Sequence, residues 1–143
     1  MERQHDRQHS AMELLERMFE LEMRFVQSEA RDSAQLASAF HPDVVVHEPR
    51  SLPYSGDWKG LDGVGALFGR MREIWSDMKV ENLEAVRAGD TVFMTCTLHL
   101  TSRTRGTTIT QPFAEVLRFR DERLIDGTPF YYDTEEIAAA IRG

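Results

Sequence analysis

Residues 108–119 read Thr-Ile-Thr-Gln-Pro-Phe-Ala-Glu-Val-Leu-Arg-Phe. Side chains of a strand alternate between its two faces. One face therefore carries Ile109, Gln111, Phe113, Glu115, Leu117 and Phe119, and the other Thr108, Thr110, Pro112, Ala114, Val116 and Arg118. The first face is apolar enough to line a core, yet it holds a glutamate in its middle. A carboxylate in such surroundings must find a partner or keep its proton with a raised pKa. Both outcomes are frequent in active sites, and a structural glutamate bonded to a neighbouring element is the plain alternative.

The period of two extends to both sides of this stretch. Strands are expected at about 78–87, 91–102, 108–119 and 123–132, separated by Ala-Gly-Asp (88–90), Ser-Arg-Thr-Arg-Gly (102–106) and Asp-Glu (121–122). Connections this short make an antiparallel meander. In 91–101, Val92, Met94, Cys96, Leu98 and Leu100 form the core face, and Phe93, Thr95, Thr97 and His99 the more polar one. Cys96 reads as an inert core thiol, since no basic environment surrounds it in sequence. His99 lies either on a solvated outer face or in a polar pocket. In the last strand Asp126, Thr128, Phe130 and Tyr132 share a face, and Tyr132 and Tyr54 are candidate proton donors to a substrate oxygen.

Upstream the period is 3.6. Ser10 and Glu13 form a capping box, which starts a helix near Ala11 with an apolar stripe of Leu14, Met18, Leu21 and Phe25, flanked by Leu15 and Val26. A second short helix is expected from about Ser33 to Phe40, stopped by Pro42, then a β-branched strand from Val44 to Glu48. Pro49 to Gly60 reads as a loop. A third helix follows, with Val64, Leu67, Phe68, Met71 and Trp75 at helical spacing and weakened by Gly63, Gly65 and Gly69. Helices first and a meander after is an α+β pattern, three N-terminal helices on one face of a curved antiparallel sheet, with room for a pocket between them.

Glu48 shares its face with Val44 and Val46 at a strand end and is a candidate general base, or else a solvent-facing strand end. His47 points the other way, either a packed histidine or a base for dehydration chemistry, a role His99 shares. Trp58, Phe68, Trp75, Phe113, Asp126, Phe130 and Tyr132 complete the candidate pocket lining. Apolar residues such as Val92 and Val116 among the threonines of the outer face point to a homodimer.

Composition bounds the function. The chain has 143 residues, 41% of them apolar, which suits one domain; residues 1–10 read as a solvated tail holding His5 and His9, and 11–143 as the domain. With 17 basic and 24 acidic residues the net charge is −7, which disfavours nucleic acid and acidic membrane surfaces as partners. A lone cysteine cannot make an internal disulfide, and no Cys/His set has metal-ligand spacing. The longest apolar run, Ile137 to Ile141, falls far short of a membrane span, and the charged N-terminus shows no secretion signal, so a cytoplasmic location is expected. No phosphate-binding glycine loop or nucleophile triad appears. Small neutral or weakly polar ligands fit this charge balance better.

The order of elements, together with Val-Val-Val-His-Glu-Pro (44–49), Ser-Leu-Pro-Tyr-Ser-Gly (51–56), Glu-Val-Leu-Arg-Phe-Arg-Asp (115–121) and Pro-Phe-Tyr-Tyr-Asp-Thr (129–134), resembles the NTF2-like superfamily. The likeness covers about 11–141 and is to its SnoaL-like and ketosteroid-isomerase-like branch. It implies a cone-shaped sheet and a homodimer. This fold hosts isomerases, polyketide cyclases, dehydratases, epoxide hydrolases and non-catalytic binding or assembly modules. Against the isomerases, Glu48-Pro49 matches the catalytic base, one methylene longer, and Glu115 ahead of Leu117-Arg118-Phe119 matches the protonated acid. The isomerase tyrosine on the first helix falls near Arg24 and is missing. The cyclase and epoxide-hydrolase carboxylate of the last strand falls at Phe130, and Asp126 is the nearest acid. The implied chemistry is isomerisation or aldol-type cyclisation of a small hydrophobic or ketone-containing substrate, polyketide- or steroid-like, with no cofactor or metal and with Glu48, Glu115, His47 and Tyr54 as candidate catalytic residues.

Overall fold

The computed structural model describes residues 9–29 and 32–142. Residues 1–8, which include His5, lie outside the described set. Helix α1 (Ala11–Gln27) starts where the capping box requires: Ser10 N–H donates to Glu13 Oε1 at 2.7 Å and Glu13 N–H to Ser10 Oγ at 3.1 Å. Such a pair contributes on the order of 1 kcal/mol. His9, expected in a solvated tail, is instead tied down. Its N–H donates to Glu122 Oε2 at 3.0 Å, its Nδ1 lies 2.6 Å from the same oxygen, and Arg87 donates to its carbonyl at 2.5 Å.

A 3₁₀ turn (Ser33–Ser38) stands where a short helix was expected, and the chain enters β1 (Phe40–Glu48) four residues earlier than the β-branched run indicates. Pro42 does not block this strand. It lies in an irregular segment, between the Phe40 and Val45 pairings, where no ladder donor is needed. A short β2 (Gly56–Lys59) inside the expected loop pairs antiparallel with β1. Helix α2 (Gly60–Ile74) packs on α1 at Gly65, where an added Cβ would meet the Phe25 ring at 3.0 Å. That close approach offsets the glycine's weak helix propensity. Trp75 is not helical; it begins β3 (Trp75–Ala88).

The meander continues through β4 (Thr91–Ser102), β5 (Thr108–Arg120) and β6 (Arg123–Tyr131), all antiparallel. The six-stranded sheet has the order β2-β1-β6-β5-β4-β3, and β1 runs parallel to β6, which makes the sheet mixed. A C-terminal helix α3 (Thr134–Ile141), capped by Asp133, adds to the N-terminal helices that the sequence indicates. The core lies between α1, α2 and the concave face, with Leu14, Met18, Phe25 and Leu67 buried and Met71 packed against them.

Strand β6 departs from simple alternation. Arg118 pairs with Asp126 but Phe119 with Leu124, so Ile125 is an extra residue on β6. A bulge of one residue reverses the facing of everything beyond it. Leu124 points inward, as do Gly127, Pro129 and Tyr131, while Phe130 and Tyr132 are 54% and 77% exposed. The inward assignment of Asp126, Phe130 and Tyr132 is therefore corrected. Val92 also belongs inside, fully buried; the outer face carries Val86, Phe93 and Val116 in one cross-strand row.

Candidate active site

A cavity of about 370 Å³ opens between the helices and the concave face. Its walls are mostly apolar, with Phe68 and Met71 from α2, Trp75 from β3, Cys96 from β4 and Phe113 from β5. Four carboxyls line it: Glu22 from α1, Glu48 from β1, Glu115 from β5 and, exposed at the rim, Asp77 from β3.

Strand register explains the meeting of the last two. Val46 of β1 lies beside Gly127 of β6, so two residues on Glu48 is level with Pro129. Pro129 in turn pairs with Glu115. The two glutamates thus stand at one level of the sheet with β6 between them, two inter-strand spacings or about 10 Å apart at the backbone. Both side chains line the same cavity, the Glu115 carboxyl lying toward Gly127 and the Glu48 carboxyl toward Tyr131. Glu48 is 8% exposed. Glu115 and Glu22 are half-buried and line the cavity.

Burial sets their acidity. It pushes Glu48 up to about 8, against a hydrogen bond from Tyr131 that favours the anion, with the Glu22 charge raising it further. Glu115 is also raised to about 8, by burial first and then by the charges of Glu48 and Glu22. Glu22 is raised to about 7 by burial. All three titrate near neutrality and act on one another, so their protons belong to the cluster.

Behind Glu48 runs a line of donors. Tyr131 Oη donates to Glu48 Oε1 at 3.5 Å, and further back Trp75 Nε1 donates to Tyr54 Oη at 3.4 Å. Trp75 has no acceptor capacity at nitrogen, so Tyr54 is the acceptor of that bond. Tyr54 is buried behind the cavity wall, its hydroxyl pushed up to about 12 by burial, and it supports Tyr131 rather than facing the cavity. Cys96, raised to about 11 by burial and by Glu115, stays a thiol.

Of the residues singled out in the sequence, Glu48, Glu115, Phe68, Trp75 and Phe113 line the cavity, and Tyr54 stands one layer back. The others do not reach it. His47 is on the opposite face, its Nδ1 2.8 Å from Asp57 and its Nε2 2.9 Å from Asp126. Those two carboxylates, Asp126 foremost, raise its pKa and favour the imidazolium. His99 is also outward, 2.6 Å from Glu81 and 2.8 Å from Thr110 Oγ1. Trp58 donates from Nε1 to the Tyr54 carbonyl at 3.1 Å and shapes the loop instead.

Two site residues were missed, Glu22 and Tyr131. The signal for Glu22 was present in α1: Met18, Glu22 and Val26 are spaced by four, so a carboxylate interrupts a row along the apolar stripe. Glu22 stands two residues before Arg24, itself exposed and paired with Glu20. Tyr131 had no such signal, because its facing depends on the β6 bulge.

Residues 15–126 match the SnoaL-like domain family, and the chain belongs to it. Solved structures place the fold as NTF2-like. An NTF2-like protein of unknown function from Burkholderia pseudomallei is 25% identical, with a TM-score of 0.70 over 85% of this chain and 98% of that one. An NTF2-like protein from Burkholderia xenovorans is 17% identical, with a TM-score of 0.78 over 92% and 95%. A putative SnoaL-like polyketide cyclase from Jannaschia sp. is 16% identical, with a TM-score of 0.69 over 92% and 90%. No curated protein matches. Among the described residues, no helix is long and apolar enough to cross a membrane, and no group of three or more His, Cys, Asp or Glu is arranged to hold a metal ion.

Proposed function

We propose that this protein is a cofactor-free acid/base enzyme acting on a small, largely apolar ketone, by isomerisation or aldol-type ring closure. The observation that carries this reading is the placement of Glu48 and Glu115 at one level of the sheet, both raised to about 8, over one apolar cavity. Glu48 removes a proton α to the carbonyl. Glu115, kept protonated by burial and by the neighbouring charges, donates to the developing enolate oxygen. Tyr131 distinguishes the two, since its hydrogen bond stabilises the anion of Glu48 while none reaches Glu115 among the described residues. Ionisation is thereby steered to the base. A desolvated carboxylate is also a stronger base than one in water.

The test is exchange of the α hydrogen of a panel of cyclic ketones in deuterated water, followed by NMR. Catalysed exchange that is abolished in Glu48→Gln supports the proposal. Tight ligand binding without exchange by the wild type points instead to a binding module, and loss of water or epoxide opening to the other chemistries of this fold.

We also propose that the protein is a homodimer through its outer sheet face. Val86 at 65% exposure, Phe93 at 46% and Phe130 at 54% are large apolar groups on that face. Light scattering should give twice the chain mass, and a Phe93→Glu variant should be monomeric.

A further inference from the structure

Apart from Tyr132, just past β6, the large apolar side chains that stay exposed fall in two places. Val86, Phe93 and Phe130 lie on the outer sheet face, whereas Met23 (55% exposed), Met78 (36%) and Val80 (41%) all line the cavity. Register explains the second group. Met78 pairs with Leu100 and Val80 with Leu98, both buried, so these two side chains of β3 point to the concave face. Strand β3 is the edge of the sheet, and there the helices no longer cover that face. Met23, near the end of α1, supplies the other lip of the opening.

This lip stands well away from the two glutamates of the sheet. Val80 pairs with Leu98 and Leu98 with Gln111, which precedes Glu115 by four residues on β5. Two strand spacings across and four residues along amount to roughly 15 Å at the backbone. A ligand that touches both places is therefore long, and the enclosed space, about 370 Å³, is toward the small end for a ligand pocket. A second copy of the chain is a poor fit to the lip. Three apolar side chains fall far short of the roughly 800 Å² per partner that a stable interface buries, and the outer face offers the larger aromatic surface. The charges at the mouth also cancel: Arg72 and Asp77 both line the rim, and Lys79 pairs with Glu81 at 3.5 Å.

We propose that the substrate is an elongated ketone, its carbonyl head held at Glu48 and Glu115 and an uncharged, flexible apolar tail leaving the cavity between α1 and β3 to lie on Met23, Met78 and Val80. The three residues then act as the determinant of tail length. Covering them removes apolar surface from water that the fold itself leaves wet, on the protein and on the tail together. Two of the three are methionines, whose unbranched side chains adapt to a flexible partner. With rim charges of both signs in balance, the mouth selects neither an acidic nor a basic end group. This deepens the acid/base reading above and rests on it for the ketone head alone, since seating the tail needs no proton transfer.

Calorimetric titration of the full chain with 4-methyl-, 4-butyl- and 4-octylcyclohexanone tests the idea, together with the matching cyclohexanols, which carry the same tails and no acidic α hydrogen. In both series the octyl compound is expected to bind at least about tenfold more tightly than the butyl one, the gain of four methylenes on a partly covered surface. Met23→Gln, Met78→Gln and Val80→Thr keep side-chain length or shape and remove apolar character. Combined, they should cut that octyl-to-butyl gain to about threefold or less, and Val80→Thr alone should lower it in part; a thermal melt shows that each variant is folded. An octyl compound that binds no tighter than the butyl one, a folded combined variant that keeps the full gain, or a dimer that dissociates in that variant by light scattering, which would give the lip to a second copy, would each overturn the proposal. Deuterium exchange on the same ketones separates the two readings. A tail gain in both series without exchange overturns the acid/base chemistry and leaves the tail site standing, whereas exchange without a tail gain does the reverse.

Discussion

Gly127 of β6 leaves the carboxyl of Glu115 the space that any other side chain would take: an added Cβ would lie 3.0 Å from Glu115 Oε2. The obstruction falls on the tip of a flexible side chain, so Gly127→Ala should re-aim the carboxyl rather than break the sheet. The melting temperature should change little, with a cost below about 1 kcal/mol, while ketone exchange falls by roughly tenfold. A variant with unchanged exchange would show that the aim of Glu115 is immaterial.

Glu48→Gln keeps shape and removes basicity. Exchange should fall on the order of a hundredfold or more in kcat, with ligand binding largely retained. Single-turnover and binding measurements separate the two effects.

The wild-type pH profile should be bell-shaped and centred near neutral to mildly alkaline pH. Activity rises as the cluster first ionises, because Glu48 must be charged, and falls when a second proton leaves, because Glu115 must not be. Removing the Glu22 charge lowers the pKa of both neighbours, so in Glu22→Gln both limbs should move to lower pH. Limbs that stay in place would show that Glu22 is electrically isolated from the site.

Folding stability should fall as pH rises from about 4.5 toward about 8. Between those values the native cluster still binds protons that the unfolded chain has released, so raising the pH favours the unfolded state. His47, raised by Asp126 and Asp57, has the same sign above 6.5, its contribution being lost as pH climbs through its folded pKa. The difference between wild type and Glu115→Gln in melting temperature against pH isolates one carboxyl, and the variant's curve should be the flatter.

Glu122 has the opposite sign. Burial works against its charge, but the hydrogen bonds from Arg87 and His9 prevail and hold it near 2. Its contribution is present above about 4.5 and lost as pH falls toward 2. Glu122→Gln should cost about 1 to 2 kcal/mol at neutral pH in chemical denaturation and nothing near pH 2. Proteolysis near His9 should also quicken in the variant, since this carboxylate ties the start of α1 to Arg87.

The sequence by itself determined whatever depends on short-range periodicity. The strict alternation of 108–119 puts Glu115 inside and Val116 outside, the Ser10 and Glu13 pair starts α1 where it does, and Val44, Val46 and Glu48 share one face. Only the tertiary structure decided what depends on register and on neighbours far along the chain. One extra residue at Ile125 turns Tyr131 into the cavity and sends Phe130 and Tyr132 out, because a period of two has no tolerance for an insertion. The parallel pairing of β1 with β6 brings Glu48 level with Glu115, 67 positions away in sequence and separated by three other strands in chain order. Glu22 was visible as a polar residue in an apolar row, but a helix does not reveal which of its neighbours it will meet. That depends on where the curved sheet leaves an opening beneath α1, a property of the packed whole.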